Sequence, residues 1–160
     1  MPGAAGTAIT GVNNRGTLVG TGANSQEGFF GFVEQPGGEP TTFSVPGSRA
    51  VTITTGINDV GTALASSIDS SSVAHGWVRS PGGDVTQLDD PSSGGGTAPG
   101  AINDHGVIVG FYFDASGAAH GFVYAHGTFT TLDYPGAPAS SSPPSTPPAP
   151  SSAVTSTHRA

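Results

Sequence analysis

One motif returns in this chain at an interval of 45 residues, and that interval constrains the fold more than any other feature. Gly11-Val12-Asn13-Asn14-Arg15-Gly16 recurs as Gly56-Ile57-Asn58-Asp59-Val60-Gly61 and again as Ala101-Ile102-Asn103-Asp104-His105-Gly106. The same offset carries Phe30-Gly31-Phe32-Val33 onto His75-Gly76-Trp77-Val78 and then onto His120-Gly121-Phe122-Val123. It aligns Asn24 with Asp69 and Asp114 and, after one deleted residue in the third copy, Pro46 with Pro91 and Pro135. Three copies of one unit therefore fill residues 8–52, 53–97 and 98–137, and a domain boundary falls near residue 137. A chain built this way folds as repeated supersecondary units that bury one another's apolar faces.

Each unit reads as four short strands. In the third copy these are Gly100–Ile102, Val107–Phe113, Ala119–Tyr124 and Thr128–Leu132, with Val107, Val109 and Phe111 facing one way and Ile108 the other. The Asn-Asp-His-Gly stretch between the first two is a hairpin turn, because an Asx side chain caps its own backbone and glycine supplies positive φ. Further turns are expected at Asp114-Ala115-Ser116-Gly117 and at Gln35-Pro36-Gly37-Gly38, Ser80-Pro81-Gly82-Gly83 and Ala125-His126-Gly127. The 26 glycines and 14 prolines, a quarter of the 160 residues, argue against long helices, since each is costly in a helix interior. The expected class is all-β and β-propeller-like, with three four-stranded blades. Closed propellers use about four to eight blades, so three units do not close alone. Two chains giving a six-bladed homodimer is the favoured remedy; a piece of a longer propeller and a solenoid-like stack are the alternatives. Trp77, whose repeat equivalents Phe32 and Phe122 are also aromatic, is expected to be buried.

Composition narrows the function. Four basic against 11 acidic side chains leave a net charge of −7, which argues against nucleic acid, since phosphate binding needs clustered Lys and Arg. The absence of cysteine excludes disulfide frameworks, thiolate zinc sites and cysteine nucleophiles. No apolar run approaches the roughly 18 residues of a membrane helix. The opening MPGAAGTAIT carries neither the basic nor the apolar region of a secretory signal, which suits a cytoplasmic product or the mature or truncated form of an exported one. Residues 138–160, rich in Pro, Ser and Thr, lack the bulk to bury a core and are expected to form an extended tail, read as a glycosylated stalk, a spacer or an inert extension.

The pattern I-N-D-x-G-x-I-V-G, a polar loop, H-G-F and a closing G-x-F-T-T-L-D-x-P-G-A, complete in residues 101–137, resembles the HAF-type extracellular repeat of bacterial proteins. The second copy keeps Ile57-Asn58-Asp59, His75-Gly76-Trp77 and Leu88-Asp89; the first departs, with Asn14 for the acid and Phe30 for the histidine. The resemblance implies a propeller-like repeat fold and an extracellular or envelope location, and it assigns no chemistry.

No nucleophile elbow, zincin helix, P-loop or dinucleotide fingerprint occurs. His75 and His120 share one repeat position; they read either as a histidine that locks each unit to a neighbouring turn or as an acid/base group or metal ligand presented once per blade. His105 occurs in one copy alone, beside Asp104, which suits a site residue as well as an exposed turn residue. Asn58, Asp59, Asn103 and Asp104 place amide and carboxylate oxygens at one end of successive units, the ligand type that Ca²⁺ favours; the competing reading is that Asn-Asp-x-Gly makes a good turn. Asp89, Asp90 and Asp133 read as turn formers. Three function classes follow. The first is a non-catalytic module binding a small molecule, glycan or partner on the blade face. The second is a Ca²⁺-dependent hydrolase of a small ester or lactone, similar to propeller lactonases, with Asn58, Asp59, Asn103 and Asp104 holding the metal and His105 or His120 moving the proton. The third is a structural surface or filament component.

Overall fold

A computed structural model describes residues 5–26, 28–47 and 52–134; the expected tail at 138–160 lies outside the described residues. Those residues form twelve strands and no helix, arranged as three successive antiparallel meanders. The first unit contains β1 (Gly6–Val12), β2 (Leu18–Asn24), β3 (Gly28–Glu34) and β4 (Thr41–Phe43). The second contains β5 (Thr52–Ile57), β6 (Ala63–Ile68), β7 (Ala74–Arg79) and β8 (Val85–Gln87). The third contains β9 (Gly96–Ile102), β10 (Ile108–Phe113), β11 (Ala119–Ala125) and β12 (Thr128–Leu132). The first unit is a four-stranded sheet by itself; the second and third are joined into an eight-stranded sheet by one parallel bridge between Ala74 and Gly96. Neither sheet closes into a barrel.

Local chemistry explains why the chain turns where it does. Asn13 Oδ1 accepts the amides of Arg15 and Thr17 at 3.0 and 2.9 Å, and Asn103 Oδ1 accepts those of His105 and Val107 at 3.0 Å each. Gly16, Gly61 and Gly106 close these turns at φ of 76, 91 and 76°, a region that other residues enter at a cost. Asp69 and Asp114 do the same work at the second hairpin, each Oδ1 accepting amides two and four residues on.

The first strand of every unit carries a bulge at one repeat position, between Ile9 and Gly11, between Thr54 and Gly56, and opposite Val109 and Gly110. The third of these explains why β9 begins at Gly96, four residues before the expected start. Pro99 has no amide to give a ladder, but beside a bulge none is required, and the strand runs through it.

Apolar faces pack between units. Val19 and Val33 of the first unit meet Ala63 and Ile57 of the second, while Leu64 and Leu88 of the second meet Ile108, Tyr112 and Phe122 of the third. Trp77 is buried with Val45 and Ala65, and its indole N–H donates to Ser67 Oγ at 2.9 Å. Gly76, before this tryptophan, has no room for a side chain, because a Cβ there would press on the Leu88 carbonyl and the Pro99 ring.

Truncating Trp77→Ala should cost about 3–5 kcal/mol of unfolding free energy through the cavity it leaves. Ser67→Ala should cost about 1–3 kcal/mol by orphaning the indole N–H. Urea titrations followed by the β signal in circular dichroism measure both; a Trp77→Ala protein as stable as wild type would contradict this packing.

Candidate functional site

The Asn13-Asn14, Asn58-Asp59 and Asn103-Asp104 turns stack at one end of the three units and are wired to one another. Asn13 Nδ2 donates to the Asn58 carbonyl at 3.0 Å, and Asn58 Nδ2 donates to the Asn103 carbonyl at 3.0 Å. A second rail runs beside the first. The Asn14 amide donates to Asp59 Oδ1 and its Nδ2 to Asp59 Oδ2, both at 2.7 Å, while the Asp59 amide donates to Asp104 Oδ1 at 2.7 Å. The structure thus brings Asn58, Asp59, Asn103 and Asp104 together as a ladder of hydrogen bonds between turns. Both Asp59 oxygens already accept, and the Asn14 side chain, followed by its backbone amide, holds the Asp59 carboxyl below its ordinary 3.8. Among the described residues no group of three or more His, Cys, Asp or Glu is arranged to hold a metal ion.

Alongside the ladder, the second and third units enclose a pocket of about 470 Å³. Val60, Val78, Ile102, Ile108 and Tyr124 make its apolar wall, and Asp104, His105, Thr86 and Gln87 bring polar groups to it. Tyr124 is held against Phe129 with ring centroids 4.7 Å apart, so its position is set before any ligand arrives. The corresponding space between the first and second units is only about 90 Å³. There Arg15, Gln35 and Arg79 fill it, and Thr17 Oγ1 pins Gln35 at 3.0 Å. The equivalent positions one unit on are Val60, Ser80 and Tyr124, and the two shorter side chains leave the larger space open. Sequence reasoning singled out His105 but missed the pocket; its signal was this exchange of long for short side chains at fixed repeat positions.

His120 lies at the opposite end of the same hairpin. It pairs with Tyr112 in the ladder, four residues along β10 from Ile108, or about 13 Å at the strand rise, whereas His105 sits in the turn before Ile108. The two histidines do not share a site. His120 is clamped by two carboxylates, with Nδ1 3.0 Å from Asp133 and Nε2 3.4 Å from Asp114 Oδ2. His75 is held in the same way, Nδ1 2.7 Å from Asp89 and Nε2 3.4 Å from Asp69. Asp89 and Asp133, expected only as turn formers, are the acids that face these rings. They, followed by Asp69 and Asp114, raise the pKa of His75 and His120 above the ordinary 6.5. Asp114 is itself pulled down to about 2, first by the Ser116 hydroxyl and the Ala118 amide and then by His120.

No family model, curated protein or solved structure matches this chain.

Two tests follow from this geometry. Asn58→Ala removes both the acceptor for Thr62 and the donor to Asn103, so it should cost about 1–3 kcal/mol in urea unfolding; a neutral Asn58→Ala would show that the ladder carries no stability. The clamps predict a pH profile. Raised histidine pKa values stabilise fully below 6.5, and that contribution is lost as pH rises through the folded value. Lowered Asp69 and Asp114 stabilise fully above 3.8, and that contribution is lost as pH falls toward the folded values. The melting temperature should therefore peak between pH 3.8 and 6.5 and decline above it. Replacing both clamped histidines, His75→Gln with His120→Gln, should flatten the alkaline decline, and an unchanged slope would refute the clamp.

Proposed function

We propose that the three units are propeller-type blades of a ligand-binding module, and that its ligand is a hydroxylated ring, such as a terminal sugar of a glycan, seated between the second and third units. The observation that carries this reading is the 470 Å³ pocket, which joins a fixed aromatic face and aliphatic walls to Asp104, His105 and Gln87. Small-ligand sites are typically such apolar clefts with a few convergent polar groups. A sugar ring lays its C–H face on Tyr124 and its hydroxyls against the Asp104 carboxylate, the His105 imidazole and the Gln87 amide. The HAF-type resemblance supports an extracellular or envelope setting for this role.

A Ca²⁺-dependent hydrolase draws less support. Asp59 spends both oxygens on Asn14, Asp104 spends one on the Asp59 amide, and His105 and His120 stand at opposite ends of their hairpin.

The decisive variant refills the pocket with the residue that the first unit uses. Val60→Arg should abolish binding to a glycan array and lower affinity in calorimetry by at least about tenfold, equivalent to roughly 1.4 kcal/mol, while leaving the melting temperature in place because Val60 is exposed. Tyr124→Ala should weaken the same glycans. Failure of the wild-type protein to bind any sugar, or binding indifferent to Val60→Arg, would overturn the proposal.

A further inference from the structure

Among the described residues the ladder and the packing between units both stop at the outer faces of the first and third units, and these two faces match each other. We propose that a second copy of this chain docks head to tail, its first unit packing on the outer face of the third unit as the second unit packs on the first. This interface uses the repeat geometry and does not depend on the sugar reading.

The turns supply the first argument. Asn58 and Asn103 each accept at their carbonyl both a local glycine amide and the Nδ2 of the preceding unit, but among the described residues the Asn13 carbonyl accepts the Gly16 amide alone. At the other end, Asn103 Nδ2 and the Asp104 amide donate to nothing among the described residues, although their counterparts in the first two units donate across a junction. In a head-to-tail contact Asn103 Nδ2 meets the second copy's Asn13 carbonyl, and the Asp104 amide meets its Asn14 Oδ1. Each open donor thereby finds an open acceptor of the right kind.

The strand faces supply the second. Between the first and second units, Thr21 opposes Thr54, with the Thr54 amide donating to Thr21 Oγ1 at 3.1 Å, and both residues are buried. The positions that would oppose each other at the open junction are Phe111, equivalent to Thr21, and Ile9, equivalent to Thr54, and they are 47% and 54% exposed. Likewise Val19 packs on Ile57 and Ala63, and Leu64 on Ile102 and Ile108. Their counterpart in the third unit is Val109, 43% exposed, and it would meet Val12, 62% exposed. Apolar residues thus stand bare on both surfaces at the positions that internal junctions cover.

A third correspondence is polar. The Val45 and Asp90 amides donate to Thr52 Oγ1 and Thr97 Oγ1 at 3.3 and 3.0 Å, and both threonines are fully buried. Tyr134 and Thr7 hold these positions at the open ends, and both are exposed. Because head and tail differ, the contact is heterologous; two such contacts related by a two-fold axis close a ring of six units, within the usual range of propellers.

Light scattering and sedimentation on the full chain test the interface. The wild type should approach twice the 15.7 kDa chain mass in the micromolar range. Ile9→Arg and Phe111→Glu alter exposed positions, so each should leave the β circular dichroism and Trp77 emission intact while returning the protein to the single-chain mass. Combining Ile9→Arg with Phe111→Glu in one chain places opposite charges across the junction and should restore association, whereas Ile9→Glu with Phe111→Glu should remain dissociated. A wild type that stays at the single-chain mass, or an association that survives both single substitutions, would overturn the proposal. A wild type that binds sugar at the single-chain mass would overturn the interface alone, and the dissociated variants should still bind sugar, since neither Ile9 nor Phe111 lines the pocket.

Discussion

The asparagine that opens each first hairpin holds the units in register, because its side chain carries an acceptor and a donor on one rigid amide. Its oxygen organises the local turn, and its Nδ2 reaches the carbonyl of the same asparagine one unit on. An aspartate at that position would keep the turn and lose the donor, presenting a carboxylate to a carbonyl. Asn13 and Asn58 are buried, so an unmatched amide at either would carry the desolvation penalty of a polar group in the interior. Strand packing, the spacing of the sheets and the space left between them all rest on this repeated step.

With the first residue of the turn constrained, the variation between units falls on the residues after it. Asn14, Asp59 and Asp104 share one rail of the ladder, with the amide-bearing side chain at the start. Asn14 can donate to Asp59 where a third acid would have set two carboxylates against each other. Arg15, Val60 and His105 follow, and their unequal lengths decide whether the space beside the ladder is filled or open. A common scaffold with unequal side chains at one repeat position is how repeat proteins acquire a site without altering the fold.

At the far end the units solve a different problem. In the first, Phe30 lies buried across Gly22. In the third, the equivalent His120 stacks on Tyr112, with ring centroids 5.1 Å apart, and is held between Asp114 and Asp133. In the second, His75 sits between Asp69 and Asp89, with Gln87 also donating to Asp89. An apolar ring and a doubly paired imidazole thus occupy one repeat position, one held by packing and the other by hydrogen bonds to two carboxylates. The clamps make the structural reading of His75 and His120 the better founded one, since both ring nitrogens are engaged.

Much of the architecture was legible in the sequence. The 45-residue period, four strands per unit, the Asx-Gly turns and the burial of Trp77 follow from hydrogen bonding and side-chain alternation within a few residues, which local sequence encodes directly. The site was legible only in part. His105 stood out because no other unit has it, and the Asn-Asp pairs stood out because they recur. That the Asn-Asp groups bond to each other across units, that Asp89 and Asp133 face histidines, and that Val60 and Ser80 leave a pocket where Arg15 and Gln35 fill one were decided by tertiary structure alone. Each depends on which side chains oppose one another across a junction and on the difference in their lengths, and a linear sequence carries those lengths without the distances they must span.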